Sequence, residues 1–209
     1  MDRARRLLAC LAMLLAAESA QAAEFAAGGL LFSDERGGFR LLSVTGEGSR
    51  EDPIVIVEEI TGDGPALLTI TSQQPQDPTR SPSTFLDFLN ITVVKIVING
   101  SGRDWGVFDI ELREEPDTPS DYGDGLSFGQ MYGSKRHIET DRFEGWRQLD
   151  EPRDHVTFFG GEVLQGEAAR FSFLITDPTP ARRFYLLQEP SILLSLEAPG
   201  EPPQSARIP

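Results

Sequence analysis

The sequence contains very little cysteine, histidine or lysine. Cys10 is the single cysteine of the 209 residues, and it lies in an N-terminal segment that we predict to be removed. The remaining chain then has no disulfide, no thiol nucleophile and no cysteine metal ligand. Its two histidines, His137 and His155, are too few and too widely spaced for a structural zinc site. The remainder, roughly 187 residues, is long enough to form one hydrophobic core without such cross-links.

Long apolar runs are absent apart from one near the N-terminus. Residues 1–22 have the three-part pattern of a secretory signal peptide: an arginine-rich start, an apolar run over 7–17, and small residues before a cleavage site after Ala22. The apolar run is about half the length that spans a bilayer. We therefore expect an exported chain, periplasmic or secreted, with no membrane span in its mature form.

Positive charge is scarce relative to negative charge. The chain has 19 basic and 33 acidic residues and a net charge of −14 at pH 7, and only Lys95 and Lys135 are lysines. A surface this acidic repels nucleic acid and anionic lipid, which excludes most nucleic-acid-binding functions. It is compatible with solubility, with divalent cations or with a basic partner.

The apolar residues that are present follow the pattern of strands. Short runs rich in Val, Ile, Phe and Leu alternate with clusters of Gly, Pro, Asp and Ser, whereas helical periodicity is absent except for one turn that fits residues 84–89. This spacing predicts an all-β fold, a two-sheet immunoglobulin-like sandwich with Greek-key connections. The predicted strands are residues 38–44, 53–60, 66–71, 88–98, 107–113, 155–159, 168–176, 183–187 and 191–197.

The stretch Asn99-Gly100-Ser101-Gly102 joins a strongly β-favouring run to a strictly alternating one. Asn and Gly accept the positive φ of a tight hairpin, so we interpret the stretch as a turn. Ser101 lacks the strand-to-helix elbow of a catalytic serine. We expect Trp105 to cover the edge of the core.

We predict one domain over residues 23–198, followed by a disordered tail at 199–209. Within the domain, residues 114–152 differ from the rest. The segment contains prolines, glycines, charges and aromatics without sustained periodicity. We predict one long irregular insertion, and long loops of this kind are often functional.

The acidic part of this insertion is a candidate calcium site. Asp121 and Asp124 flank a turn that ends in Gly125, and Asp117 and Asp141 could join them if the segment folds back. Carboxylate oxygens suit calcium, but the spacing matches no complete calcium loop, and Asp-Gly is also an ordinary turn signal. We favour the solvated acidic turn, and no cofactor is required.

The aromatic residues of the insertion are the candidate ligand-binding residues. Tyr122, Tyr132 and Trp146 stand among charged residues, where aromatic rings can stack on sugars or anchor a protein partner. Phe128 and Phe143 belong to the same group. The alternative role is to attach the loop to the sandwich, and we favour it for most of them. Trp146 is the residue to test first.

Two stretches resemble exported bacterial immunoglobulin-like modules. The first runs from Val93 to Gly102 and is followed by Trp105 and Phe108. The second, Leu164-Gln165-Gly166-Glu167 before a strand, is similar to their Leu-Pro-Gly-Glu turn, with Gln165 in place of proline. The resemblance implies an immunoglobulin-like sandwich and an exported protein of unknown function. It transfers no catalytic residue.

The preferred interpretation is an exported, non-catalytic β-sandwich that acts by protein or surface contacts, with an envelope or surface protein as partner. The sequence has no nucleophile elbow, zinc-binding His-Glu-x-x-His motif or phosphate-binding glycine loop, so we do not expect an enzyme. The alternative is a carbohydrate-binding or hydrolytic protein whose site is built by residues 114–152.

Overall fold

The computed structural model describes residues 21–73, 88–149 and 151–191, and these residues form the predicted two-sheet β-sandwich. In chain order the strands are β1 (Glu24–Ala27), β2 (Leu30–Ser33), β3 (Phe39–Thr45), β4 (Ile54–Ile60), β5 (Ala66–Ser72), β6 (Leu89–Asn99), β7 (Trp105–Arg113), β8 (Ile138–Thr140), β9 (Gly145–Leu149), β10 (His155–Val163), β11 (Ala168–Asp177) and β12 (Arg183–Ser191). A 3₁₀ helix covers Gln130–Lys135. No helix in the described residues is long and apolar enough to cross a membrane.

The seven-stranded sheet has the order β1-β2-β5-β12-β7-β10-β9, and the five-stranded sheet has the order β3-β4-β6-β11-β8. Sequential neighbours pair only in β1–β2, β3–β4 and β9–β10. Every other connection passes from one sheet to the other. The β4–β6 pair is parallel because the chain crosses to the opposite sheet as β5 before it returns.

The core lies between the sheets and follows the two-residue period of the strands. On β6, Ile91, Val93 and Val97 point inward, and the pattern repeats on β7 with Phe108, Ile110 and Leu112. An aromatic cluster fills the centre, in which the Phe171 ring lies 4.7 Å from the ring centroids of both Phe108 and Phe158. Such ring pairs add to the stabilisation that their burial alone provides.

A fully buried ion pair interrupts this apolar interior. Lys95 on β6 points inward and contacts the carboxylate of Glu58 on β4, and both side chains are 0% exposed. Gln188 reaches the same place from β12 of the opposite sheet and is also fully buried. Burial raises the pKa of Glu58 and lowers the pKa of Lys95, while their mutual attraction opposes both shifts.

The prediction of one irregular insertion over residues 114–152 is wrong in part. The segment contributes β8 to the edge of the five-stranded sheet and β9 to the edge of the seven-stranded sheet. β1 and β2 were also missed, and β12 continues through Pro190 to Ser191 as one strand. Residues 84–87 of the predicted helical turn, residues 192–197 of the last predicted strand and the predicted tail at 199–209 lie outside the described residues.

The stretch 99–102 is a turn, but it does not close a hairpin. It connects β6 of one sheet to β7 of the other. The buried Asn99 side chain organises it by donating to the carbonyls of Arg103 and Val163 at 2.7 and 2.9 Å. Only Gly102 has a positive φ there. The Trp105 indole donates to the Ser101 hydroxyl at 2.9 Å and is buried in the core.

Candidate functional site

A groove crosses the outer face of the five-stranded sheet. Its floor consists of outward-facing residues of two paired strands: Thr92 and Val94 on β6, opposite Leu174 and Ser172 on β11. These residues face outward because the alternate residues of both strands fill the core. The cavity measures about 530 Å³, which lies within the usual range of small-ligand sites.

Two chain segments form the walls of the groove. The β3–β4 loop supplies Arg50, and the Thr92 amide holds this loop by donating to the Gly48 carbonyl at 2.9 Å. The opposite wall is the 3₁₀ helix and the residues after it, which supply Tyr132 and Arg136.

Tyr132 is fixed in place by a hydrogen bond to the sheet. The Asn90 side-chain amide on β6 donates from Nδ2 to the Tyr132 hydroxyl at 2.7 Å, while Tyr132 remains 39% exposed. The Arg136 guanidinium also donates from Nε to the Gly133 carbonyl at 3.0 Å. The wall therefore presents an aromatic ring and a cation from defined positions.

The lining of the groove is basic in a strongly acidic protein. Arg50, Arg136 and Arg170 line it together with His137, and no acidic residue is among its described lining residues. Arginine remains protonated at every physiological pH, so three positive charges are permanent. Two described carboxylates border the groove: Glu139 is 3.5 Å from His137, and Asp141 accepts the Arg170 backbone amide at 2.7 Å.

A smaller cavity of about 320 Å³ near the β6–β7 turn lacks this charge. It is lined by Ser101, Arg103 and Asp63 among others, and Arg103 forms an ion pair with Asp63. The Ser101 hydroxyl is engaged with the Asn99 carboxamide at 2.8 Å within the turn. The basic groove is therefore the better candidate for an anionic ligand.

The structure separates the three predicted aromatic residues. Tyr132 lines the basic groove, whereas Trp146 lies on the edge strand β9 opposite Phe158, with 40% of the residue exposed. Tyr122 is 42% exposed in the acidic turn. Phe128 and Phe143 are buried in the core, as the attachment role requires.

The candidate calcium residues form turns. Asp121 Oδ1 accepts the Gly123 amide and Asp124 Oδ1 accepts the Leu126 amide, each at 2.9 Å. Burial, followed by repulsion from Asp177 and Asp121, raises the pKa of Asp124. Among the described residues, no group of three or more His, Cys, Asp or Glu side chains could hold a metal ion. Asp141 lies instead beside β11.

A hydrogen-bonded network attaches the start of the 114–152 segment to the outer face of the seven-stranded sheet. Glu111 accepts the Ser120 amide at 2.9 Å and the Arg113 guanidinium at 3.0 Å, and Arg153 lies 3.6 Å away. Although burial acts to raise the pKa of Glu111, these donors and charges together lower it. The network explains how a polar segment is ordered without a core of its own.

The histidine on β10 does not form a hydroxyl relay. His155 Nε2 lies 3.1 Å from Asp109 Oδ1, and the Thr157 hydroxyl donates to that same oxygen at 2.6 Å. The Thr157 proton is therefore directed at the carboxylate and not at the imidazole, which differs from the order of a hydrolytic triad.

Fold and groove define the class of the chain as a β-sandwich with a basic surface site. Comparison with protein-family models, with curated proteins and with solved structures finds no match. The sequence identified Tyr132, but it did not indicate Arg50, Arg136 and Arg170 as a group. These arginines come from three segments distant in sequence, and they meet only because β6 and β8 both pair with β11 and the β3–β4 loop contacts β6.

Proposed function

We propose that this chain is an exported, non-catalytic β-sandwich that binds an anionic group of another envelope or surface molecule in the basic groove. The observation that carries the proposal is the convergence of three arginines on one groove of the five-stranded sheet in a chain of net charge −14. A local positive patch on an acidic protein selects for anions and orients them, while the remaining surface repels them.

A carboxylate-bearing oligosaccharide fits the groove best. The Tyr132 ring offers a stacking surface, the partly exposed Thr92 offers a hydroxyl to sugar hydroxyls, and the arginines match carboxylates by paired hydrogen bonds. The cavity volume suits one to a few sugar rings, whereas a protein partner generally covers about 800 Å² on each side. A carbohydrate ligand was the alternative interpretation of the sequence, but the aromatic residue that would contact it is Tyr132 and not Trp146.

The test is calorimetric titration of the protein with short oligogalacturonate, with neutral oligosaccharide of equal length, and with short polyglutamate. We expect binding of oligogalacturonate alone, weakened by salt because exposed charges are screened. The double variant Arg50→Gln/Arg170→Gln should bind about tenfold more weakly, which is ~1.4 kcal/mol.

The matched control is Arg183→Gln, which removes the same type of charge from the outer face of the seven-stranded sheet. It should leave the affinity unchanged. If the protein binds polyglutamate in preference to oligogalacturonate, the ligand is an acidic peptide and not an acidic oligosaccharide. Equal binding by the double variant and the wild type would remove the groove as the site.

A further inference from the structure

The backbone of Ala23 is hydrogen-bonded to Asp34. The Ala23 backbone nitrogen lies 2.7 Å from Asp34 Oδ1, and the Asp34 amide faces the Ala23 carbonyl at 3.4 Å. The second carboxylate oxygen accepts the Leu41 amide at 2.9 Å. Ala23 also packs against the core, whereas Gln21 and Ala22 before it are exposed.

Asp34 has no cationic partner among the described residues. The charged residues around it are Glu24 on β1, Glu35 and Arg36 in its own loop, Arg40 on β3 and the buried Glu58 on β4. Arg40 forms an ion pair with Glu59, and Arg36 lies 5.7 Å from the ring centroid of Tyr185. The Asp34 carboxylate therefore accepts the neutral Ala23 amide at 2.7 Å, while the two nearby arginines contact other groups.

We propose that signal-peptide removal supplies this cation. Hydrolysis of the Ala22–Ala23 bond adds hydroxyl to the Ala22 carbonyl carbon and a proton to the Ala23 nitrogen. At neutral pH the products are a carboxylate on the released peptide and an ammonium on Ala23. The ammonium is then in contact with Asp34 Oδ1, so cleavage creates an ion pair that fastens β1 to the sandwich. This inference rests on the proposed export, because it requires the cleavage after Ala22.

The ion pair shifts the titration of the α-amino group. An ordinary α-amino group has a pKa of about 7.7 to 8.0, and an adjacent carboxylate raises it. A group whose pKa is higher in the folded state than in the unfolded state stabilises the fold at pH values below its unfolded-state pKa. That stabilisation is lost as the pH rises through the folded pKa. The mature protein should therefore lose part of its thermal stability between roughly pH 8 and pH 10.

The experiment uses the full chain exported from a bacterial host, purified and analysed by N-terminal sequencing. Reductive ¹³C-methylation then labels the α-amino group, and the chain has only two lysines to add further signals. Titration by NMR should give an α-amino pKa at least about one unit above the ordinary value. Asp34→Asn should return it to that value. Glu24→Gln removes a nearby charge without the 2.7 Å contact and should leave most of the shift.

The outcomes separate this inference from the proposed export. A first residue other than Ala23 would overturn both the cleavage site and the ion pair. Ala23 as the first residue with an ordinary pKa, or with a raised pKa that Asp34→Asn does not change, would overturn the ion pair alone. If Asp34→Asn yields no folded protein, the α-amino pKa of the wild type remains the deciding measurement, and an ordinary value overturns the ion pair.

Discussion

The buried pair Lys95–Glu58 gives the sharpest prediction about stability. Replacing Lys95 with Met leaves the Glu58 carboxylate without its cationic partner inside the core. Removing one member of a buried pair costs about 3–5 kcal/mol, whereas replacing both by apolar residues of similar volume is often neutral or stabilising. We therefore expect Lys95→Met to lose ~3–5 kcal/mol at pH 7 and the double variant Lys95→Met/Glu58→Leu to recover most of this loss.

The two single variants should respond to pH in opposite directions. In Lys95→Met the remaining Glu58 has a pKa raised by burial. The buried ionised carboxylate therefore lowers the free energy of unfolding above the unfolded pKa, and this loss is relieved as the pH falls. In Glu58→Gln the remaining Lys95 has a pKa lowered by burial, so its cost is relieved as the pH rises. In both variants the free energy of unfolding changes with pH because one charge is desolvated without a partner.

The assay is urea unfolding of the wild type, both single variants and the double variant at pH 5, 7 and 9. The comparison of free energies requires equal m-values, which indicate the same change in exposed surface. Single variants that each lose less than about 1 kcal/mol would refute the reasoning, because such small losses are typical of exposed pairs. A single variant that does not fold leaves the double variant as the test, since it must fold.

Four further predictions address other parts of the sandwich. Glu111→Gln should lose ~1–3 kcal/mol of unfolding free energy at pH 7. It should also weaken the loss of stability in acid, because a carboxylate with a lowered pKa stabilises the fold above its unfolded pKa and stops doing so as the pH falls. Urea unfolding from pH 3 to 7 measures both effects, and an unchanged dependence of stability on pH contradicts the prediction. Burial raises the pKa of Asp177, so Asp177→Asn should raise the melting temperature at pH 7 by more than at pH 4; an equal gain at both pH values argues against this cause. Gly161→Ala should cost roughly 2 kcal/mol or more, because its Cβ would lie 1.9 Å from the Arg142 carbonyl oxygen; wild-type stability by urea unfolding would show that β10 adjusts at no cost. Trp146→Ala should cost less than about 1 kcal/mol, as is usual for surface positions, and leave oligogalacturonate affinity unchanged; a loss of binding in calorimetry would restore Trp146 as a ligand residue.

The sequence predicted the central strands well because their pattern arises from their own burial. A strand was predicted over residues 88–98, and the corresponding β6 lies in the middle of the five-stranded sheet. The partner of Lys95 was not predictable, since Glu58 lies 37 residues away and only the parallel β4–β6 register brings the two together. Two acids next to each other in β4 give no local sign of which one points inward.

The missed strands are short and depend on their neighbours. β1, β8 and β9 are edge strands of five residues or fewer, with at least half of their positions only partly buried or exposed. Such strands take their hydrogen bonds from an adjacent strand, so local propensity has little influence on them. The groove was missed for the same reason, because Arg50 and Arg170 look like ordinary surface charges until the sheet is assembled.

The alternation of the chain between the two sheets has a consequence for the order of events in the cell. β6 pairs with β4 and with β11, so the central strand of the five-stranded sheet cannot be completed until residues 168–177 have been synthesised. Folds that depend on such distant pairings form slowly, over milliseconds to seconds. Under the export proposed above, this delay would favour translocation, because the chain could enter a secretion channel while the sandwich is still incomplete.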